Sequence, residues 1–168
     1  MNTSQLQCCI DCDPMLQKTI LGVFAADQLP NDLVFPCGFI ANTDNHFMEG
    51  RHWCTFYFPN STTIEYFDSY GKPIDYFNTY FLKYASYFST VITNSRQLQS
   101  NYSDVCGMYC LFFLLQQTNG VSFYDIVHSF FNDYDCNDLL VYNFVRNMFP
   151  YCLQNGCFKN QTCRSLIK

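Results

Sequence analysis

Three residues far apart in the chain, His52, Asp68 and Cys106, have the types that thiol-based acyl transfer requires. A thiolate attacks a carbonyl, an imidazole carries the proton, and a carboxylate fixes the tautomer of the ring. Cys106 lies in Ser103-Asp104-Val105-Cys106-Gly107, just ahead of an apolar run from Met108 to Leu115. A cysteine in the first turn of a helix sits in the field of its positive end, which favours the thiolate. Gly107 lets backbone approach closely, and the Cys106 amide can face a developing oxyanion. Gln99, seven residues upstream, can bring a side-chain amide to that same oxyanion.

A hairpin would bring His52 and Asp68 together. Pro59, Asn60 and Ser61 are good turn residues between two aromatic, β-branched runs. If they form a three-residue loop, residue 58 pairs with 62 and His52 faces Asp68 directly. Side chains so opposed stand about 4.5–5.5 Å apart at Cβ. The carboxylate would then accept the Nδ1 proton and leave Nε2 as the base. A five-residue loop would put Tyr70 opposite His52 instead.

Each residue also has a plainer reading. A cysteine at a helix start in a chain with 11 cysteines is more often packing than chemistry. Cys110, one turn further into the apolar run, reads as core, and His46 and His128 have no aligned partners. Cys8, Cys9 and Cys12, and again Cys152, Cys157 and Cys163, lack both paired C-x-x-C spacing and a nearby histidine, so neither group reads as a metal site. No cofactor is expected.

The elements that must position these residues follow from pattern. A short helix capped by Thr3 or Ser4 ends near Pro14, and a loop covers Asp27 to Pro36. Strands are expected at Cys37–Asn42, His52–Phe58, Ile64–Asp68 and Ser89–Thr93. Pro73 fits a first helical position, and Ile74, Phe77, Phe81, Tyr84 and Phe88 repeat at helical spacing. Further helices are expected at 104–117, strongly apolar and buried, and at 123–131 and 139–149. Strands in the middle with helices before and after make an α+β chain.

At 168 residues the sequence fits one domain, 1–168. Apolar residues make up 49% and charged residues 14%, which argues for a compact globule and against disorder. The net charge of −5 excludes an overall pull toward nucleic acid; the basic residues Lys159, Arg164 and Lys168 read as a solvated end. No signal peptide or membrane span is visible, so the expectation is an intracellular or virion protein, not secreted, with reduced thiols. The N-x-Ser/Thr sites at Asn2, Asn60, Asn101 and Asn160 then carry no meaning.

Jointly, the order His, acid, Gln, Cys-Gly resembles the adenovirus-type endopeptidases (adenain) and, more distantly, the SUMO-deconjugating Ulp peptidases. Gly50-Arg51-His52-Trp53 looks like the family's Gly-x-His-Trp. Tyr66-Phe67-Asp68-Ser69-Tyr70-Gly71 looks like its aromatic-acid-x-aromatic-Gly segment, with Asp where adenain has Glu. Cys106-Gly107-x-x-Cys110 and the Gln99 spacing also match. Weaker similarity at Leu21-Gly22-Val23-Phe24 and Cys37 to Thr43 extends the resemblance over roughly residues 16–117.

The resemblance implies a central mixed sheet flanked by helices, with the reactive cysteine at the head of a buried helix. It implies a His52–Asp68–Cys106 triad, an oxyanion hole of Gln99 and the Cys106 amide, and a cleft lined by Trp53 and Gly107. The implied substrates are viral precursor proteins with Gly-containing sites. Adenain is activated by a peptide disulfide-linked to a cysteine whose place here is Phe88, so activation of that kind is not expected. Adenain is basic and uses DNA; for this acidic chain weak or no DNA dependence is expected. Two other readings compete: a deconjugase for ubiquitin-like modifiers, and a non-catalytic thiol-rich interaction or metal module.

Overall fold

The structure is a computed structural model and describes residues 1–155. Cys157, Cys163 and the basic tail lie outside the described residues. Helix α1 (Thr3–Cys12) is capped one residue earlier than expected: the Asn2 side chain accepts from the Gln5 amide, and the Gln5 side chain accepts from the Asn2 amide. Asp13 then caps α2 (Pro14–Thr19), which starts on the proline that stops α1.

Five strands follow: β1 (Ile20–Phe24), β2 (Cys37–Asn42), β3 (Trp53–Asn60), β4 (Thr63–Phe67) and, after a helix, β5 (Thr90–Thr93). They lie side by side in chain order, with β1/β2 and β4/β5 parallel and the two central pairs antiparallel. The helices α3 (Thr79–Ala85), α4 (Cys106–Thr118), α5 (Phe123–His128), α6 (Tyr134–Met148) and α7 (Pro150–Asn155) complete an α+β fold with a mixed central sheet.

Alternation along the strands divides the core in two. On one face Ile40, Trp53, Tyr57 and Phe67 pack with α1, α4, α5 and α6. On the other, Phe39, Ala41, Cys54, Phe56, Phe58 and Tyr66 pack with Phe81 and Tyr84 of α3. Helix α4 is buried on nearly every side, as its unbroken apolar run requires, and Phe113 stacks on Phe67 at 4.5 Å.

A helix start and a hairpin register also differ from expectation. The helix expected from Pro73 begins only at Thr79, because the Asn78 side chain accepts from the Phe81 amide and caps it there. The apolar spacing nevertheless named the right contacts: Ile74, Phe81 and Tyr84 are buried, with Phe77 and Phe88 packed against them. The β3/β4 hairpin has the register of the longer loop, with Thr55 opposite Phe67 and Tyr57 opposite Glu65 before an irregularity leads to the Asn60–Thr63 pair. Extended to the strand ends, that register sets Tyr70, not Asp68, directly across from His52.

Cys8 and Cys152 form a disulfide joining α1 to α7, which corrects the expectation of wholly reduced thiols. Gln5 adds a hydrogen bond to the Leu153 carbonyl (3.2 Å) between the same helices. Among the described residues no helix is long and apolar enough to cross a membrane.

Candidate active site

The site lies at one end of the sheet, where β3 begins, β4 ends and α4 starts. His52 immediately precedes β3 and continues its ladder, since its carbonyl accepts from the Thr43 amide (3.0 Å). Gly50 is required for this approach: its φ is +85°, and a Cβ there would lie 2.1 Å from Asn42 Nδ2. Arg51 pairs with Asp44 through two hydrogen bonds, holding the loop that delivers His52.

Asp68 immediately follows β4. In the observed register it stands opposite Cys54 and diagonal to His52, on the same face as both. Diagonal partners, about 7–8 Å apart, are still within reach of a ring. The imidazole spans the diagonal with its far nitrogen, so Nε2 pairs with Asp68 Oδ1. This corrects the expected tautomer geometry: Nδ1, not Nε2, is the ring nitrogen left to exchange a proton.

The carboxylate is wholly buried and well held. Its Oδ2 accepts from the Lys72 amide (2.8 Å). Asn94 clamps its backbone from both sides, accepting from the Asp68 amide (3.0 Å) and donating to its carbonyl (2.7 Å). The turn after it closes through the Gly71 amide onto the Asp68 carbonyl, with Gly71 at φ +67°.

Cys106 is the first residue of α4, so its amide and that of Gly107 have no partner within the helix. The thiol is 8% exposed. Burial pushes it up, but hydrogen bonding to His52 and the ring's charge, with smaller help from the Trp53 backbone and the chain's amino group, bring it below the ordinary thiol value. Burial likewise favours neutral His52, yet hydrogen bonding to Asp68 and Cys106 outweighs it and holds the imidazolium well above its usual 6.5; Cys54 adds its charge only as a thiolate, a form that its own burial confines to alkaline pH. The two shifts run in the directions of a thiolate–imidazolium pair.

The structure thus brings His52, Asp68 and Cys106 together. It turns Gln99 elsewhere: Oε1 accepts from Ser69 Oγ (2.7 Å), and Nε2 donates to Ser103 O (2.9 Å) and Oγ (3.1 Å). Both amide protons are engaged in shaping the loop before Cys106, so the expected oxyanion donor is a loop clamp in this state.

Trp53 is 8% exposed and donates from its indole to the Met1 carbonyl (3.0 Å). A Cβ on Gly107 would meet Leu6, Met1 and Trp53 at 3.2–3.4 Å. The amino-terminal residues therefore pack beside the head of α4, against the two residues expected to line a cleft.

Cys110 is buried, with its thiol pushed well up by burial. His46 pairs with Asp27 (2.5 Å) and His128 with the Tyr124 carbonyl (2.7 Å), both at exposed positions. Among the described residues, two clusters have potential metal-ligand atoms within 4.8 Å of one another: Cys8, Cys12 and Cys152, and His52, Cys54 and Asp68. The first contains the disulfide. In the second the ring and carboxylate already satisfy each other, so it needs no ion. Pairing between the N-terminal and C-terminal cysteines was invisible to spacing, since it joins residues 144 apart. Asn94 also went unread, whereas Cys54, two residues from His52 on the same strand face, was findable by alternation.

No protein-family model matches this sequence, and no curated protein does. Among solved structures, a selenomethionine crystal structure of the ASFV pS273R protease aligns at 25% identity with a TM-score of 0.44. The alignment covers 68% of this chain and 45% of that chain, so this chain spans less than half of that protease's length. The likeness to adenain-type endopeptidases is one of motifs.

Proposed function

We propose that this protein is a cysteine peptidase in which Cys106 is the nucleophile, His52 the proton carrier and Asp68 the group that orients the ring. One observation supports this above all. Three residues separated by 16 and 38 positions converge at one buried site, with the thiol shifted down and the imidazole shifted up.

In this reading the Cys106 thiolate attacks a peptide carbonyl, and the first-turn amides of α4 stabilise the oxyanion. His52 donates its Nδ1 proton to the leaving amine as the acyl-enzyme forms. The neutral ring then takes a proton from water, which hydrolyses the thioester and frees the thiolate. Asp68 keeps Nε2 protonated throughout.

The substrates are polypeptides. The motif resemblance supports viral precursor proteins cleaved after small residues, Gly above all. Packing of Met1, Leu6 and Trp53 around Gly107 suits a substrate without bulk at that point.

Iodoacetamide at pH 6, followed by peptide mapping, tests the active centre. The expected result is selective labelling of Cys106 that is lost in His52→Ala. Slow, uniform labelling of all thiols would remove the case for catalysis and favour a non-catalytic thiol-rich module. Cleavage of a Gly-rich viral junction against a SUMO fusion separates an endopeptidase from a deconjugase.

A further inference from the structure

Behind the His52–Asp68 pair lies a buried thiol that the peptide-cleaving steps do not use. Cys54 is fully buried and faces Asp68 across the β3/β4 ladder. Its S–H donates to Asp68 Oδ1 (3.8 Å), the same oxygen that pairs with His52 Nε2. The Tyr66 hydroxyl, also fully buried, donates to Cys54 Sγ (3.2 Å). The groups run in one line: Tyr66 O–H to Cys54 sulfur, Cys54 S–H to the Asp68 carboxylate, carboxylate to the His52 ring.

We propose that Cys54, polarised by Tyr66, is a positioning residue that tunes how strongly Asp68 holds the His52 imidazolium. The inference rests on the peptidase reading for its importance, but its physical content concerns the ring alone.

The argument is electrostatic. A donor to a carboxylate disperses its negative charge and weakens its pull on a neighbouring cation. Inside the protein, hydrogen bonds in series polarise one another, so a donor to the sulfur strengthens the S–H donor beyond it. Burial and the Asp68 charge push the Cys54 thiol up to about 11, so it stays protonated and a donor near neutral pH. Burial holds the Tyr66 hydroxyl far above its ordinary value, so it too remains a donor.

The other titratable groups facing this line are few. Cys110 of α4, on the other face of the sheet, is near enough for its charge to be felt at Cys54 and Tyr66, but burial keeps it a neutral thiol. Cys106 hydrogen-bonds the His52 ring, and the Tyr70 ring lies 5.0 Å from that ring. None of these supplies a second donor to Asp68 Oδ1 among the hydrogen bonds of the site.

The sign of each substitution follows. Cys54→Ala removes the donor, concentrates charge on Asp68 and raises the pH at which His52 loses its proton. Cys54→Ser supplies a stronger O–H donor and lowers that pH. Tyr66→Phe leaves the S–H unpolarised and moves it in the direction of Cys54→Ala, by less. A purely structural role for Cys54 would loosen the site in both Cys54 variants and shift them alike.

The experiment is a pH titration of the full chain labelled with 15N-histidine, in which three histidines give resolvable ring signals. The expected result is displacement of the His52 titration by about 0.5 pH unit upward in Cys54→Ala and downward in Cys54→Ser. The Nε2 proton signal should move with it. A Cys54 variant that fails to fold by circular dichroism leaves the decision to Tyr66→Phe, which keeps the ring and removes only the hydroxyl. Titrations that coincide with wild type, or shifts of one sign in both Cys54 variants, overturn the proposal. Iodoacetamide mapping of wild type, run alongside, reports separately on the peptidase reading, which can fail while the His52 shifts persist.

Discussion

At the scale of single residues, the His52–Cys106 pair sets a pH range for the thiolate. A depressed thiol value means the thiolate is present above it and is lost as pH falls through it. A raised imidazole value means the cation persists above 6.5 and is lost only as pH rises through the raised value. The ion pair therefore exists between the two values, a range that begins below the pH at which an ordinary thiol ionises. His52→Ala removes the cation and leaves burial unopposed, so alkylation of Cys106 at pH 6 should fall about tenfold or more, read by mass spectrometry. Asp68→Ala strips a buried ring of its counter-charge and should cost about 3–5 kcal/mol of stability in a denaturant titration.

At the scale of elements, the geometry depends on what happens just beyond the strand ends. Neither His52 nor Asp68 is inside a strand, and each is fixed by a glycine-dependent turn rather than by the ladder alone. A Cβ on Gly71 would come within 2.7 Å of the Arg96 backbone, at a φ that L-residues avoid. Gly71→Ala should thus lower stability by about 1–3 kcal/mol. It should also reduce Cys106 alkylation at pH 6, because the turn that aims Asp68 shifts. Loss of stability with unchanged reactivity would separate the turn from the site. The hairpin register illustrates the same dependence: direct opposition was lost, yet the far ring nitrogen still reached the carboxylate along the diagonal.

At the scale of the whole molecule, the Cys8–Cys152 disulfide closes nearly the full chain and fastens α1 against α7. Helix α1 carries Leu6, and Met1 precedes it, so this fastening also holds the groups beside Gly107 and Trp53. Cys152→Ser should lower the unfolding free energy by about 2–5 kcal/mol, measured in urea without reductant. With reductant the difference from wild type should vanish. The net charge of −5 bears on partners. For the proposed peptidase, added DNA at low salt is expected to change the cleavage rate weakly or not at all, and strong stimulation would overturn that expectation.

The candidate site was legible in the sequence because it resides in residue types and order: a cysteine at the head of an apolar run, a histidine and an acid flanking a turn. So were most strands and the buried helix, since alternation and unbroken apolarity are local properties. Tertiary structure alone decided which ring nitrogen meets Asp68, because that follows from a two-residue difference in register that several turns permit. It alone committed the Gln99 amide to Ser103 and joined the cysteines of the two ends. Those outcomes depend on distances between segments remote in the chain, and no local pattern encodes them.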